Sequence, residues 1–158
     1  MADKTLEFWF DFSCPYAYLA STQVEALAER TGAKLIPHPV LLGGIFKAVG
    51  TDQKLFATLG AAKAAHNGRD LDRHAKLWDV PLRFPQNHPM RTVTALRALL
   101  VVGEPYMPLA HAFYRAYWET NEDLADPDVL GRILTEHGHD AGAILARTSD
   151  DDIKAELR

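Results

Sequence analysis

The sequence of 158 residues holds a single cysteine, Cys14. One thiol excludes an intramolecular disulfide and any metal site built on several cysteines. Long apolar runs are also missing, and the longest fall far short of the roughly 20 residues that span a bilayer. Basic residues nowhere cluster in a run, and the formal net charge is -4, so no global field draws the chain to nucleic acid. The opening residues offer no apolar stretch suited to a signal peptide, and a soluble cytoplasmic protein is the expectation. The 7 histidines form no HExxH pair. Gly43-Gly44 is followed by neither Walker nor dinucleotide spacing, and Asp150-Asp151-Asp152 lacks the spaced ligands and glycine turn of a calcium loop. No metal site is expected. What remains is 47% hydrophobic and 24% charged, an ordinary composition for one sizeable core.

The hydrophobic pattern begins with a strand. From Thr5 to Phe12, Leu6, Phe8, Phe10 and Phe12 alternate with Glu7, Trp9 and Asp11, a period of two. Pro15 follows, suited to the first position of a helix because its missing N–H would be unpaired there. Tyr16, Leu19, Ala20, Gln23, Val24, Leu27 and Ala28 continue at helical spacing, and Gly32 stands where a C-terminal cap belongs. Lys34 to Val40 is a short apolar segment whose Pro37 and Pro39 restrict it to an edge strand. The first forty residues therefore read as a right-handed βαβ unit.

Beyond it the pattern is helical. Helices are expected over Leu42–Val49, over two stretches between Gln53 and Trp78 loosened at Asn67-Gly68, and over Met90–Val102, Met107–Glu119 and Pro127–His137. Shorter ones are expected at Asp140–Ala146 and after Ser149, which with Asp152 imitates a capping box. Val80 to Pro89, with Pro81, Pro85 and Pro89, must be a loop. Two parallel strands make a marginal sheet, and the open edge of the first calls for cover by a partner subunit or by further strands beyond Arg158.

Cys14 is the best chemical candidate. It stands where the first strand gives way to the first helix, and open α/β sheets bind ligands at the C-terminal ends of their strands. Helix N-terminal N–H groups stabilise a thiolate, so a lowered pKa is expected if the sulfur is partly exposed. The competing reading is a buried small hydrophobe.

The segment Asp11-Phe12-Ser13-Cys14-Pro15-Tyr16-Ala17-Tyr18-Leu19-Ala20 resembles the D-F-x-S-P-Y-x-Y-L-A signature of 2-hydroxychromene-2-carboxylate isomerases. These are relatives of kappa-class glutathione transferases in the DsbA-like branch of the thioredoxin fold. The resemblance continues through Leu41-Leu42-Gly43-Gly44-Ile45-Phe46-Lys47, Phe84-Pro85-Gln86-Asn87 and His88-Pro89-Met90-Arg91. It implies an α/β, thioredoxin-like (DsbA-like) fold, helix-rich with a small sheet and a large helical insertion. The thioredoxin-like part would be residues 1–40 plus about 138–158, and the insertion about 41–137.

The implied chemistry is glutathione-dependent. The glutathione thiolate adds to a conjugated aromatic substrate, the adduct rotates about the former double bond, and the thiol is expelled. Cys14 occupies the place of the family's serine beside the glutathione sulfur. Lys47 would meet a carboxylate of glutathione or substrate, Asn87 in the F-P-x-N loop would fix a polar group, and Pro15, Tyr16 and Pro85 would line the pocket. Phe113, Tyr114, Tyr117 and Trp118 read mainly as core, on a helix that could roof the pocket.

Three departures accompany the resemblance. Cysteine replaces serine, which leaves open a hydrogen-bonding, a nucleophilic and a mixed-disulfide role. Ala17 stands where a dithiol oxidoreductase keeps its second cysteine, so an intramolecular dithiol cycle is impossible. The family's C-terminal strands and their Val-Pro pair are missing, and a truncated family member is the expectation. The implied function is a glutathione-dependent isomerase or transferase acting on conjugated aromatic compounds, as a homodimer without nucleic-acid or membrane partners. The alternatives are a monothiol disulfide/glutathione oxidoreductase and a non-catalytic thioredoxin-like binding module.

Overall fold

The computed structural model describes residues 4–52 and 58–157. Strand β1 (Thr5–Phe10) leads into helix α1 (Pro15–Thr31), which returns to strand β2 (Lys34–Pro39). The strands pair in parallel, with Phe8 opposite Pro37 and Phe10 opposite Pro39. This is the expected βαβ unit. Alternation decides its inner face: Phe8, Phe10 and Phe12 are buried, whereas Trp9 points outward. Gly32 ends α1 at φ 64, a left-handed position that its lack of a Cβ tolerates. Among the described residues β1 has no strand on its other edge.

The rest is helical: α2 (Leu42–Ala48), α3 (Ala61–Leu77), α4 (Val93–Val102), α5 (Met107–Arg115), α6 (Pro127–Glu136), α7 (Ala141–Arg147) and α8 (Asp151–Glu156). Asp126 and Asp140 cap α6 and α7, accepting from the backbone N–H groups of Asp128 and Ala143. A buried cluster fills the centre, in which Phe10, Phe12, Tyr18, Phe113, Tyr114 and Trp118 interlock with Leu96 and Leu99 of α4. No helix among the described residues is long and apolar enough to cross a membrane.

Four local readings are corrected. Asn67-Gly68 does not loosen the chain; α3 runs through both without a break, because Leu71 and Ala75 are buried beside Leu19 and hold the helix on α1. The part of that stretch from Gln53 to residue 57 lies outside the described residues. The helix expected from Met90 starts at Val93, since Pro89 and the residues after it are engaged in the loop. The N-cap of α8 is Asp150 rather than Ser149, and it makes no side-chain capping bond. Finally, α5 gives way to a π-helical turn, Ala116–Thr120. Such turns recur at functional sites because the extra residue re-aims side chains.

Candidate functional site

β1 ends at the floor of a cavity of about 610 Å³. Asp11, the first residue of the signature, organises it. Its carboxylate is buried and accepts four hydrogen bonds: from the Ser13 backbone N–H at 2.9 Å and hydroxyl at 3.0 Å, from the Thr92 hydroxyl at 2.7 Å, and from the Leu42 backbone N–H at 2.8 Å. A buried carboxylate is tolerable only when its lone pairs are met in this way. One side chain thus ties the β1–α1 corner, the start of α2 and the entry to α4, and all three are walls of the cavity.

Cys14 is the N-cap of α1 with extended backbone, and its sulfur faces the cavity. Its pKa is raised, not lowered as the helix terminus alone suggested. Burial of the sulfur is the main cause and the Asp11 charge adds to it, while the Ala17 and Tyr16 backbone N–H groups pull the other way and lose. At neutral pH Cys14 is therefore a thiol, an S–H donor rather than a free thiolate.

Of the residues selected from the sequence, Cys14, Pro15, Tyr16 and Lys47 border the cavity. Tyr16 also donates from its hydroxyl to Asp70 of α3 at 3.3 Å. Pro85 and Asn87 do not border it: Pro85 is buried in the loop and Asn87 points to solvent. The cavity instead takes the residues immediately after them, His88 to Val93, because a turn closed by the His88 N–H on the Pro85 carbonyl reverses the chain there. The His88–Pro89 peptide is cis. Phe113, Tyr114, Tyr117 and Trp118 form no roof; all are wholly buried beneath the site. Trp118 donates its indole N–H to the Phe12 carbonyl at 2.8 Å, and Tyr117 reaches the loop at His88 and Met90.

Sequence reasoning missed Asp11, Asn67, His88 and Arg91. Alternation gave no signal for the first, because it puts Asp11 on the same face as the exposed Trp9; Asp11 is buried only because the chain leaves the strand after Phe10. Arg91 and Lys47 border the cavity and, among the described residues, neither makes an ion pair. The arrangement joins a protonated thiol, two unpaired cations and apolar walls from Leu41, Phe46, Pro89 and Met90. It suits an elongated anion with an apolar or aromatic part lying against the thiol. Among the described residues no group of three or more His, Cys, Asp or Glu side chains is placed to hold a metal ion.

The chain is similar to several known proteins. A 2-hydroxychromene-2-carboxylate isomerase of Sphingobium xenophagum is 28% identical over 146 residues, 89% of this chain and 72% of the relative. Glutathione S-transferase kappa 1 of Caenorhabditis elegans is 29% identical over 143 residues, 84% of this chain and 62% of that protein. Among solved structures, a 2-hydroxychromene-2-carboxylate isomerase superposes with a TM-score of 0.79 at 20% identity, covering 96% of this chain and 74% of that one. The cytosolic disulfide reductase DsbM of Pseudomonas aeruginosa, solved with GSH, gives 0.65 at 19% identity, over 97% of this chain and 75% of that one. The model of the DSBA-like thioredoxin domain matches residues 5–158. With the βαβ unit, the small sheet and the helical layer, that match places the chain in the DSBA-like thioredoxin domain family.

Proposed function

We propose that this protein is a glutathione-dependent isomerase, or a transferase of the same chemistry, acting on conjugated aromatic compounds. The observation that carries the reading is Cys14 at the N-terminus of α1, bordering a cavity with apolar walls and with Lys47 and Arg91, neither of which makes an ion pair among the described residues. Relatives named as isomerase and as glutathione transferase support it. Glutathione brings the reactive sulfur. Its thiolate lies beside Cys14, which donates its S–H to it as the family's serine donates its hydroxyl, and the first-turn N–H groups of α1 add their positive potential. Lys47 and Arg91 receive the carboxylates of glutathione and substrate. The thiolate adds to the conjugated double bond, the adduct turns about the resulting single bond, and expulsion of the thiolate restores the double bond in the other geometry.

Of the three roles open for Cys14, the hydrogen-bonding one is the role proposed. A thiol held protonated by burial is a poor nucleophile and a poor partner for thiol–disulfide exchange, both of which need thiolate. The test is alkylation of Cys14 against pH, with and without glutathione, together with Cys14→Ser. Slow alkylation at neutral pH, protection by glutathione and retained turnover in the serine variant are the expected results. A stable mixed disulfide at Cys14, with all activity lost in the serine variant, would overturn the reading in favour of monothiol redox chemistry. A homodimer, joined along the edge of β1 that carries no strand, belongs to the same reading, and sedimentation would test it.

A further inference from the structure

The geometry points to His88 as a second hydrogen-bond donor into the Cys14 cavity, locked in its neutral Nε2–H form by Tyr117 and directed at the oxygen on which charge develops in a bound conjugated carbonyl compound. The oxyanion role rests on the proposed thiol-addition chemistry; the tautomer does not.

A count of protons fixes the tautomer. Tyr117 is wholly buried. Its phenolic oxygen accepts the Met90 backbone N–H at 2.9 Å and lies 3.0 Å from His88 Nδ1. A phenol has one proton to give and two lone pairs to receive with. If His88 Nδ1 carried a proton, the phenol would accept twice, and its own proton would be buried facing no acceptor among the described residues. Native structures avoid such orphaned donors. Tyr117 therefore donates to Nδ1, and the imidazole proton sits on Nε2.

Nε2 lies on the opposite side of the ring from that bond. It makes no hydrogen bond to the protein among the described residues, and it is not one of the sealed, unpartnered atoms of the interior, which are His38 Nε2 and Arg97 Nε. His88 itself borders the cavity. Phe84 and Trp118, with ring centroids 5.4 and 5.3 Å away, fix the plane of the imidazole. Burial lowers the His88 pKa, so the ring stays a neutral donor at physiological pH.

The π-helical turn at Ala116–Thr120 makes this possible, because it places Tyr117 under the loop while Trp118 on the same turn reaches Phe12. When the glutathione thiolate adds to the β-carbon of an aryl enone, the S–C bond forms and the π pair moves onto the carbonyl oxygen. That oxygen accepts the Nε2–H bond while charged. The pair returns when the thiolate leaves, and no proton leaves the ring. Such a preorganised donor strengthens as charge develops, which is the condition for lowering a barrier.

The first test needs no turnover. Nitrogen-15 spectra of the histidine side chains should give His88 the Nε2–H pattern at neutral pH, and Tyr117→Phe should convert it to a mixture of tautomers. A predominant Nδ1–H form, or an imidazolium, in the native protein overturns the proposal. Saturation with para-nitrophenolate should shift the His88 Nε2 signal, and an unmoved signal overturns the donor role. The kinetic arm uses benzalacetone with glutathione. His88→Leu should lower kcat by about a hundredfold with KM little changed, while His88→Gln, whose amide can place a donor near Nε2, recovers most of the loss. A leucine variant with native kcat overturns the role. If the native protein fails to turn over benzalacetone while para-nitrophenolate still shifts His88, the functional reading falls and the donor site stands.

Discussion

The two walls of the cavity are built on opposite plans. The wall from Asp11 to Tyr16, with Thr92 behind it, is anchored by a buried carboxylate that accepts four hydrogen bonds and by aromatics with no exposure. The facing wall, α2, buries none of its residues. Ile45 is 47% exposed and Val49 69%, and a single N–H, that of Leu42, ties the start of the helix to Asp11. Elements with few buried contacts lie at the low end of local stability. The two walls thus differ in how firmly they are held. The wall that carries Cys14 is fixed by buried hydrogen bonds, while the facing wall has few contacts to hold it in one place.

The rigid wall is most vulnerable at Asp11. Asp11→Ala leaves the Ser13 N–H, the Leu42 N–H and two hydroxyls without their acceptor, and should destabilise the fold by about 3 kcal/mol or more, read from denaturant midpoints. A loss under about 1 kcal/mol would mean that the carboxylate does not anchor the rigid wall. The gentler Asp11→Asn removes the charge that helps hold Cys14 protonated. Alkylation should then set in at lower pH than in the native protein, where it should keep accelerating beyond the pH at which free cysteine levels off.

Acid should act on the rigid wall next. The His88 pKa lies below the ordinary histidine value of 6.5 because burial disfavours its cation. The unfolded chain therefore binds that proton first. The corresponding stability is present in full above about pH 6.5 and is lost as pH falls from there through the lower pKa of the folded ring. Thermal scans of the native protein and of His88→Gln should converge on acidification through that window. Parallel curves would remove His88 from the titrating groups.

On the adaptable wall the effects are smaller and of another kind. Phe46→Ser, on the cavity side of α2, should cost no more than about 1 kcal/mol of stability yet raise KM for an aromatic electrophile. Equal KM values would show that α2 does not touch the substrate. Lys47→Gln should weaken glutathione binding by about 1 kcal/mol or less, with a reduced dependence on salt. An unchanged affinity and salt slope would take Lys47 out of anion recognition.

The backbone of the rigid wall was legible in the sequence because its determinants are local, whereas the Asp11 anchor, bonded to residues far along the chain, was not. Alternation from Leu6 to Phe12, Pro15 at the helix start and Gly32 at its end each fix a few neighbouring dihedrals, and Cys14, Pro15 and Tyr16 follow from them. The loop was less legible. Asn87 and His88 are adjacent, but a turn sends the first to solvent and the second to the cavity, and no periodic pattern encodes that choice. The unbroken α3 shows tertiary burial of Leu71 and Ala75 overriding the breaking tendency of Asn67-Gly68. The π-helical turn, on which the His88 arrangement depends, leaves no mark in hydrophobic spacing at all.

The Asp11 carboxylate also has a temporal consequence. It joins residues 31 and 81 positions away along the chain, and contacts of such separation form only after the entropy of closing long loops has been overcome. The βαβ unit brings together strands 29 residues apart, whereas the cavity cannot exist until the far longer loop to Thr92 has closed. A refolding chain should therefore recover its helical signal before it can shield Cys14 from an alkylating reagent.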